Sequence, residues 1–365
     1  MQVNKQDKIC FFNSTRSWGG GEKWHFEMAS KMQDLGYNVL FVAGRKSALA
    51  KKLSKTNIPT EYFSIGNLSF LNPIKLLRLK RLFTEEKVSI ILMNLSADLK
   101  TAGISAKWAR VKRVIYRRGS AIPVKNNMLN RWLFSHVLTD VLANSEATRN
   151  TLLQNNKNLF PFDKIKVIYN GLKLEEYMSI GHKKLYSAAP EEIVIGHAGR
   201  MVFQKGHEYL IEIAAKLKAE GVNFTMLLAG TGPLEKEIKE KVRKLGLEDE
   251  MIFLGFVEDM VSFMQTIDIF VLTSRWEGFG FVLAEAMMQK KPVVAFNISS
   301  NPEIVQHGKN GFLATPFNIV EFSNYLVTLI KNHKLQADFG NNGFETVKER
   351  FAFSRALRDL LEMIG

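Results

Sequence analysis

The sequence predicts an α/β chain made of two Rossmann-like, doubly wound parallel-sheet units in tandem. Three observations predict it. Short apolar, β-rich runs alternate with longer segments of helical period, the signature of parallel strands joined by crossover helices. The same grammar restarts near residue 192. The 365 residues, 46% of them hydrophobic, are enough to bury two cores.

In the first unit the expected strands are "KICFFNS" (8–14), "NVLFVAG" (38–44), "VSIILMN" (88–94), "VKRVIYR" (111–117), "VLTDVLAN" (137–144) and "IKVIYNG" (165–171). The second repeats the pattern with "EIVIGHAGR" (192–200), "FTMLLAG" (224–230), "MIFLGF" (251–256), "IFVLTS" (269–274), "PVVAF" (292–296) and "GFLAT" (311–315). Residues 175–192 show no clear period and a Pro near their end, so they read as the linker. A last helical segment, roughly 336–363, has no strand after it and is expected to cross back over the first unit. The expected domains are therefore 1–175, joined by a C-terminal helix at about 346–365, and 176–345.

One cysteine, Cys10, excludes a disulfide framework and a Cys-rich metal site, and fits a reducing compartment. The chain shows no apolar run long enough to span a bilayer and no secretory h-region, so a cytoplasmic location is expected. The net charge of +14 is uneven: residues 1–180 carry 29 Lys and Arg against 13 Asp and Glu. Such a field attracts a polyanion, an anionic membrane or a phosphorylated substrate. Segment 73–87, "PIKLLRLKRLFTEEK", interleaves Leu76, Leu77, Leu79, Leu82 and Phe83 with Lys75, Arg78, Lys80 and Arg81. It reads as a crossover helix or as a basic amphipathic helix that touches anionic lipid at the inner face of the plasma membrane.

In open α/β sheets ligands sit beyond the carboxyl ends of the strands, so the loops there are the candidate sites. "HAGRMVFQKGHEYL" puts Arg200 at a strand exit and Lys205 just ahead of a helix, a phosphate-binding arrangement. "LLAGTGPLEKEI" turns tightly at Gly230 through Pro233, and Phe256 with Val257 follows another strand, where a flat base could rest. In "SRWEGFGFVLAEAM" a carboxylate interrupts an apolar stretch twice, at Glu277 in the loop and at Glu285 about a turn and a half into the helix, about 8 Å further along at 1.5 Å per residue. Buried carboxylates are costly without partners, so the pair is either solvated or holds a ligand. The seven histidines show no metal-ligand spacing, no Walker A sequence occurs, and "WGGGEKW" lacks the dinucleotide fingerprint.

The set Arg200, Lys205, "GTGP" and two glutamates separated by seven residues closely resembles the family 4 retaining glycosyltransferases, of the group 1 type and GT-B architecture. "WGGGEKW", "ANSEATR" and "VIYNG" extend the resemblance over nearly the entire chain. It implies two Rossmann-like domains facing across a cleft, the second holding the donor and the first the acceptor. It further implies that Arg200 and Lys205 bind the donor diphosphate, Glu277 the sugar hydroxyls and Glu285 the ribose. Arg200, Lys205 and Glu277 are thus the expected catalytic residues. Backbone around Gly278, Phe279, Gly280, Phe281 and Val282 would hold the sugar, Phe256 and Val257 would face the base, Gly230 would line the donor site, and Gly20 and Gly21 would approach the donor phosphates or the reaction centre.

The implied activity is transfer of a hexose-type sugar from a UDP-linked donor to a glycan or glycolipid acceptor, as in cell-surface polysaccharide or lipopolysaccharide synthesis, without metal or cofactor. Two places depart from the family pattern. Arg117 and Arg118 stand where many relatives carry a sugar-contacting His, which suggests an anionic group on donor or acceptor. Ser299, Ser300 and Asn301 stand where a glycine pair is common. The rival readings are an epimerase or phosphorylase of the same architecture and a basic nucleic-acid-binding protein. The latter leaves Glu277 and Glu285 without a role, so nucleic acid is not an expected partner.

Overall fold

A computed structural model describes residues 4–177 and 183–365; positions 178–182 of the expected linker lie outside the described residues. The chain divides into two units, Met1–Gly171 with Ser354–Gly365, and Leu172–Phe353.

The first unit contains β1 (Lys8–Asn13), β2 (Val39–Ala43), β3 (Thr60–Tyr62), β4 (Val88–Met93), β5 (Arg113–Arg118), β6 (Asp140–Ala143) and β7 (Ile165–Val167). They form one parallel sheet in the order β3-β2-β1-β4-β5-β6-β7. Burial on both faces explains the continuous apolar runs: Cys10 and Phe12 join the core of Phe83, Ile91 and Val114, and Ile9 and Phe11 are equally buried. The short edge strand β3 was not among the expected strands. It has three residues, none fully buried, and follows Pro59, so it carries no apolar run to read.

Helix α1 (Gly20–Asp34) follows β1, and α2 (Pro73–Glu85) precedes β4. Asn72 caps α2 by accepting the Lys75 amide at 3.0 Å, with Pro73 at the first position. Leu76, Leu79 and Phe83 point into the core, so the apolar stripe of α2 is already used; Ile74 and Leu77 remain exposed. The segment therefore packs as a crossover helix, with part of its apolar surface left facing solvent.

The second unit contains β8 (Ile193–Ala198), β9 (Phe224–Ala229), β10 (Met251–Gly255), β11 (Ile269–Leu272), β12 (Val293–Phe296) and β13 (Gly311–Ala314), all parallel in the order β10-β9-β8-β11-β12-β13. Helices α3 (His207–Ala219) and α4 (Phe281–Met288) follow β8 and β11, and α5 (His333–Arg350) lies near the end of the unit. The final helical segment is not continuous: α5 stops at Arg350 and α6 (Phe353–Ile364) begins after a break. The break has a cause, because Phe351 and Phe353 pair through their backbones with Leu172, and the Phe351 ring is buried against Phe279 at 5.3 Å. The unit boundary accordingly falls at Ser354 rather than near 346.

Candidate active site

The sheet order of the second unit reverses between β8 and β11, and a doubly wound sheet opens its ligand crevice at that switch point. Arg200 leaves β8 there, and Glu277 lies in the loop after β11. The two loops are stitched together. The Arg275 amide donates to the Gln204 carbonyl at 2.7 Å, Gln204 Nε2 donates to the Trp276 carbonyl at 2.9 Å, and Thr273 Oγ1 donates to the Gly206 carbonyl at 3.1 Å. Gly206 has φ +62°, and a Cβ there would sit 2.2 Å from the Thr273 oxygen, so only glycine allows this approach.

Inside this frame Lys205 Nζ donates to Glu277 Oε1 at 2.5 Å, and Ser274 Oγ donates to the same oxygen at 2.6 Å. The side chains of Lys205 and Glu277 are only 14% and 8% exposed, so the buried carboxylate is paired as its burial requires. Arg275 is turned away from them. It pairs with Glu208 and lies over the rings of Phe203 and Tyr209, at 4.1 and 4.9 Å. Arg200, by contrast, is exposed, and its guanidinium has no ion pair or hydrogen bond among the described residues. The site thus presents an exposed, unpaired Arg200 next in sequence to Gly199, against which the stem of Lys205 packs, and an ammonium on Lys205 that is already held by a carboxylate.

Glu285 occupies the second turn of α4, 7% exposed, and accepts from Tyr177 Oη at 2.6 Å. Gln289, one turn further, donates to the Tyr177 carbonyl. The two glutamates are therefore held by separate partner sets, at the mouth and in the body of one helix. Gly278, Phe279 and Gly280 between them are buried, whereas Phe281 and Val282 are partly exposed. Gly230 lies against the β8 exit: its φ of +137° places a hypothetical Cβ 2.0 Å from the Gly199 carbonyl, and the Gly230 amide donates to Gly255 at 2.7 Å. Phe256 follows, 68% exposed, with Val257 half-buried. Every residue expected at the donor site in this unit thus lies on a carboxyl-edge loop of the same sheet or on α4.

Sequence reasoning missed Tyr177, Ser274 and Gly206. Only Gly206, just before a helix, carries a local signal. His197 and His207 are neutral: burial pushes His197 well down, helped by His207, and takes His207 to about 4, with Lys205 adding to the shift. His197 Nδ1 lies 3.1 Å from the Val271 carbonyl, a core contact.

In the first unit the switch point lies between β1 and β4. Gly20 and Gly21 begin α1 beside it, and Gly21 backs onto Asn94. Arg117 and Arg118 end β5, and because successive strand residues face opposite sides, they separate. Arg117 is 1% exposed, donates to Asn94 Oδ1 at 2.9 Å and Asn170 Oδ1 at 2.7 Å, and stacks 4.4 Å from Trp24. Burial brings it down to about 10, against the opposing charge of Glu22. It is an internal brace, whereas Arg118 lines a cavity.

Asp98 is also fully buried near this edge, accepting from Ser14 Oγ at 2.5 Å and the Ser14 amide at 3.3 Å. Burial pushes its carboxyl from 3.8 up to about 7. Between those values the unfolded chain has released a proton that the folded chain retains, so stability falls as pH rises from about 4 to about 7 and levels off above. Asp98→Asn is expected to flatten this slope and to raise the melting temperature relative to wild type more at pH 8 than at pH 5. Parallel melting curves for the two proteins across that range would refute the assignment.

The chain matches the model of the glycosyl transferases group 1 over residues 182–346 and that of Glycosyltransferase Family 4 over residues 18–176. It belongs to this group 1, family 4 class of glycosyltransferases, and its fold is GT-B. Among its relatives, EpsF of Bacillus subtilis, named as a glycosyltransferase, is 26% identical over 307 residues, 80% of this chain and 79% of EpsF. The poly(ribitol-phosphate) alpha-N-acetylglucosaminyltransferase of Staphylococcus aureus is 28% identical over 203 residues, 54% of this chain and 41% of that protein. Among solved structures, Anabaena HepE in complex with UDP and glucose superposes with a TM-score of 0.84 at 26% identity, covering 98% of this chain and 99% of HepE.

Proposed function

We propose that this glycosyltransferase moves a hexose-type sugar from a UDP-linked donor to a glycan or glycolipid acceptor with retention of anomeric configuration. The observation that carries the reading is the buried Lys205–Glu277–Ser274 cluster, with the unpaired Arg200 on the loop leaving β8, at the switch point of the second sheet. The complex of HepE with UDP and glucose supports the choice of donor. Breaking the anomeric C–O bond leaves charge on a departing diphosphate, and Arg200, Lys205 and the N-terminus of α4 supply the compensating field. In this reading they take the place of a metal ion at the diphosphate. Glu277, held by Lys205, contacts sugar hydroxyls, Glu285 takes the ribose, Phe256 and Val257 lie at the base, and Gly278 through Val282 shape the sugar pocket. By analogy with the family, the leaving phosphate takes the acceptor proton on the same face.

The first unit, with Gly20 and Gly21 at its switch point, holds the acceptor, and its positive charge favours a peripheral place on an anionic membrane face. No helix among the described residues is long and apolar enough to cross a membrane. The reaction is tested with an α-linked UDP-sugar followed by proton NMR. Donor consumption is expected to need an added acceptor, to give the α-product and to be unchanged by a chelator. Acceptor-independent conversion or a β-product would reject this reading.

A further inference from the structure

A cavity of about 480 Å³ opens in the first unit, in the range of small-ligand pockets. Three cations line it, Lys100, Arg118 and Lys125, and no described lining residue is acidic. Neither Lys100 nor Lys125 has an acidic partner among the described residues, and Lys100 Nζ stands 5.8 Å from the centre of the Phe70 ring on the same wall. Arg118 is fixed in place, donating through Nη2 to the Ile122 carbonyl at 2.7 Å and through Nη1 to Tyr116 Oη at 3.2 Å. The floor is apolar, with Leu99 and Phe134 buried.

The segments that supply the wall also carry unusually exposed apolar side chains. Leu68, itself lining the cavity, is 70% exposed, and Leu71, Ile74 and Met128 are 65%, 69% and 86% exposed. Single exposed apolar residues need no explanation, but several beside a cationic hollow describe a ligand with an anionic head and an apolar tail. A free sugar or a nucleotide would leave the rim in water, and a neutral lipid would leave Lys100 and Lys125 without a counter-charge.

We infer that this cavity binds the phosphate-bearing head of a lipid, whose chain lies along Leu68, Leu71, Ile74 and Met128. That this lipid is the acceptor rests on the transferase reading; the binding does not. The phosphate oxygens pair with Lys100, Lys125 and Arg118, and the apolar rim adds area that inorganic phosphate cannot use.

The test is calorimetric binding of monomeric dodecyl phosphate to the full chain, with inorganic phosphate and dodecyl maltoside as the two halves of the ligand. Dodecyl phosphate is expected to bind at least about tenfold more tightly than either, since both contributions are combined. Lys100→Gln and Lys125→Gln are each expected to weaken it by about tenfold, the scale of one hydrogen bond to a charged group. The double variant L68S/M128S is expected to weaken dodecyl phosphate and leave inorganic phosphate unchanged. Equal affinity for inorganic phosphate, equal affinity for dodecyl maltoside, or indifference to both lysine changes overturns the inference. UDP affinity and donor turnover are read in the same samples. Loss of lipid phosphate binding with turnover intact removes this inference alone, whereas binding without any transfer removes the transferase reading alone.

Discussion

Replacing Lys205 with alanine is expected to lower kcat by about 10²–10³-fold, the loss seen when one preorganised donor to transition-state charge is removed. It should also destabilise the second unit, because Glu277 is buried and keeps only the Ser274 hydroxyl of its two recorded donors. Removing one partner of a buried ion pair typically costs about 3–5 kcal/mol. Arg200→Ala separates the two effects. Its guanidinium is exposed and makes no recorded bond, so the fold should lose no more than about 0.5 kcal/mol while turnover falls on the same scale as for Lys205. The double variant K205M/E277L completes the set, restoring stability through apolar packing without restoring activity. Rates for Arg200→Ala within a few-fold of wild type would remove its assignment to the diphosphate.

The second large effect is expected at Gly206. Alanine there must hold a left-handed backbone at φ +62°, costing about 1–2 kcal/mol. Its Cβ would also meet the Thr273 carbonyl at 2.2 Å, so β11 and the loop carrying Glu277 must move. A displacement near 1 Å at a reacting centre costs about 10²-fold in rate, so stability and turnover should fall together. Gly221 provides the control. It has φ +71° with open space around its Cβ position, so Gly221→Ala bears the backbone cost alone and should melt earlier at unchanged kcat. Equal behaviour of the two variants in melting and turnover would show that the contact between Gly206 and Thr273 does not position the site.

Much of this architecture was legible in the sequence because parallel strands covered on both faces read as unbroken apolar runs, as β1, β4 and β9 do. Strand β3 escaped for the opposite reason: at the edge, three residues long, it buries too little to leave a pattern. Lys205, Glu277 and Glu285 were legible as out-of-place charges, but their partners were not. Lys205 meets Glu277 across 72 residues and Glu285 meets Tyr177 across 108, distances over which no local period carries information. Arg117 and Arg118 show the reverse case. They were read as one basic pair, yet the two-residue repeat of a strand sends them to opposite faces, one into a buried brace and the other to a cavity. The break between α5 and α6 was hidden because Phe351 follows Val347 at i+4 and Phe353 precedes Ala356, Leu357 and Leu360 at helical spacing, so each fits an apolar stripe of its own and neither marks a stop.

The central claim is that the carboxyl edge of the second sheet grips a diphosphate through Arg200 and Lys205. Calorimetric titration of the intact chain with UDP and with uridine tests it most directly, since the two ligands share base and ribose and differ only in the phosphates. UDP is expected to bind wild type at least about 10²-fold more tightly than uridine, and Arg200→Ala to remove about tenfold of that difference while uridine affinity stays constant. Equal affinity for the two ligands, or a gap that survives Arg200→Ala and Lys205→Ala undiminished, would contradict it.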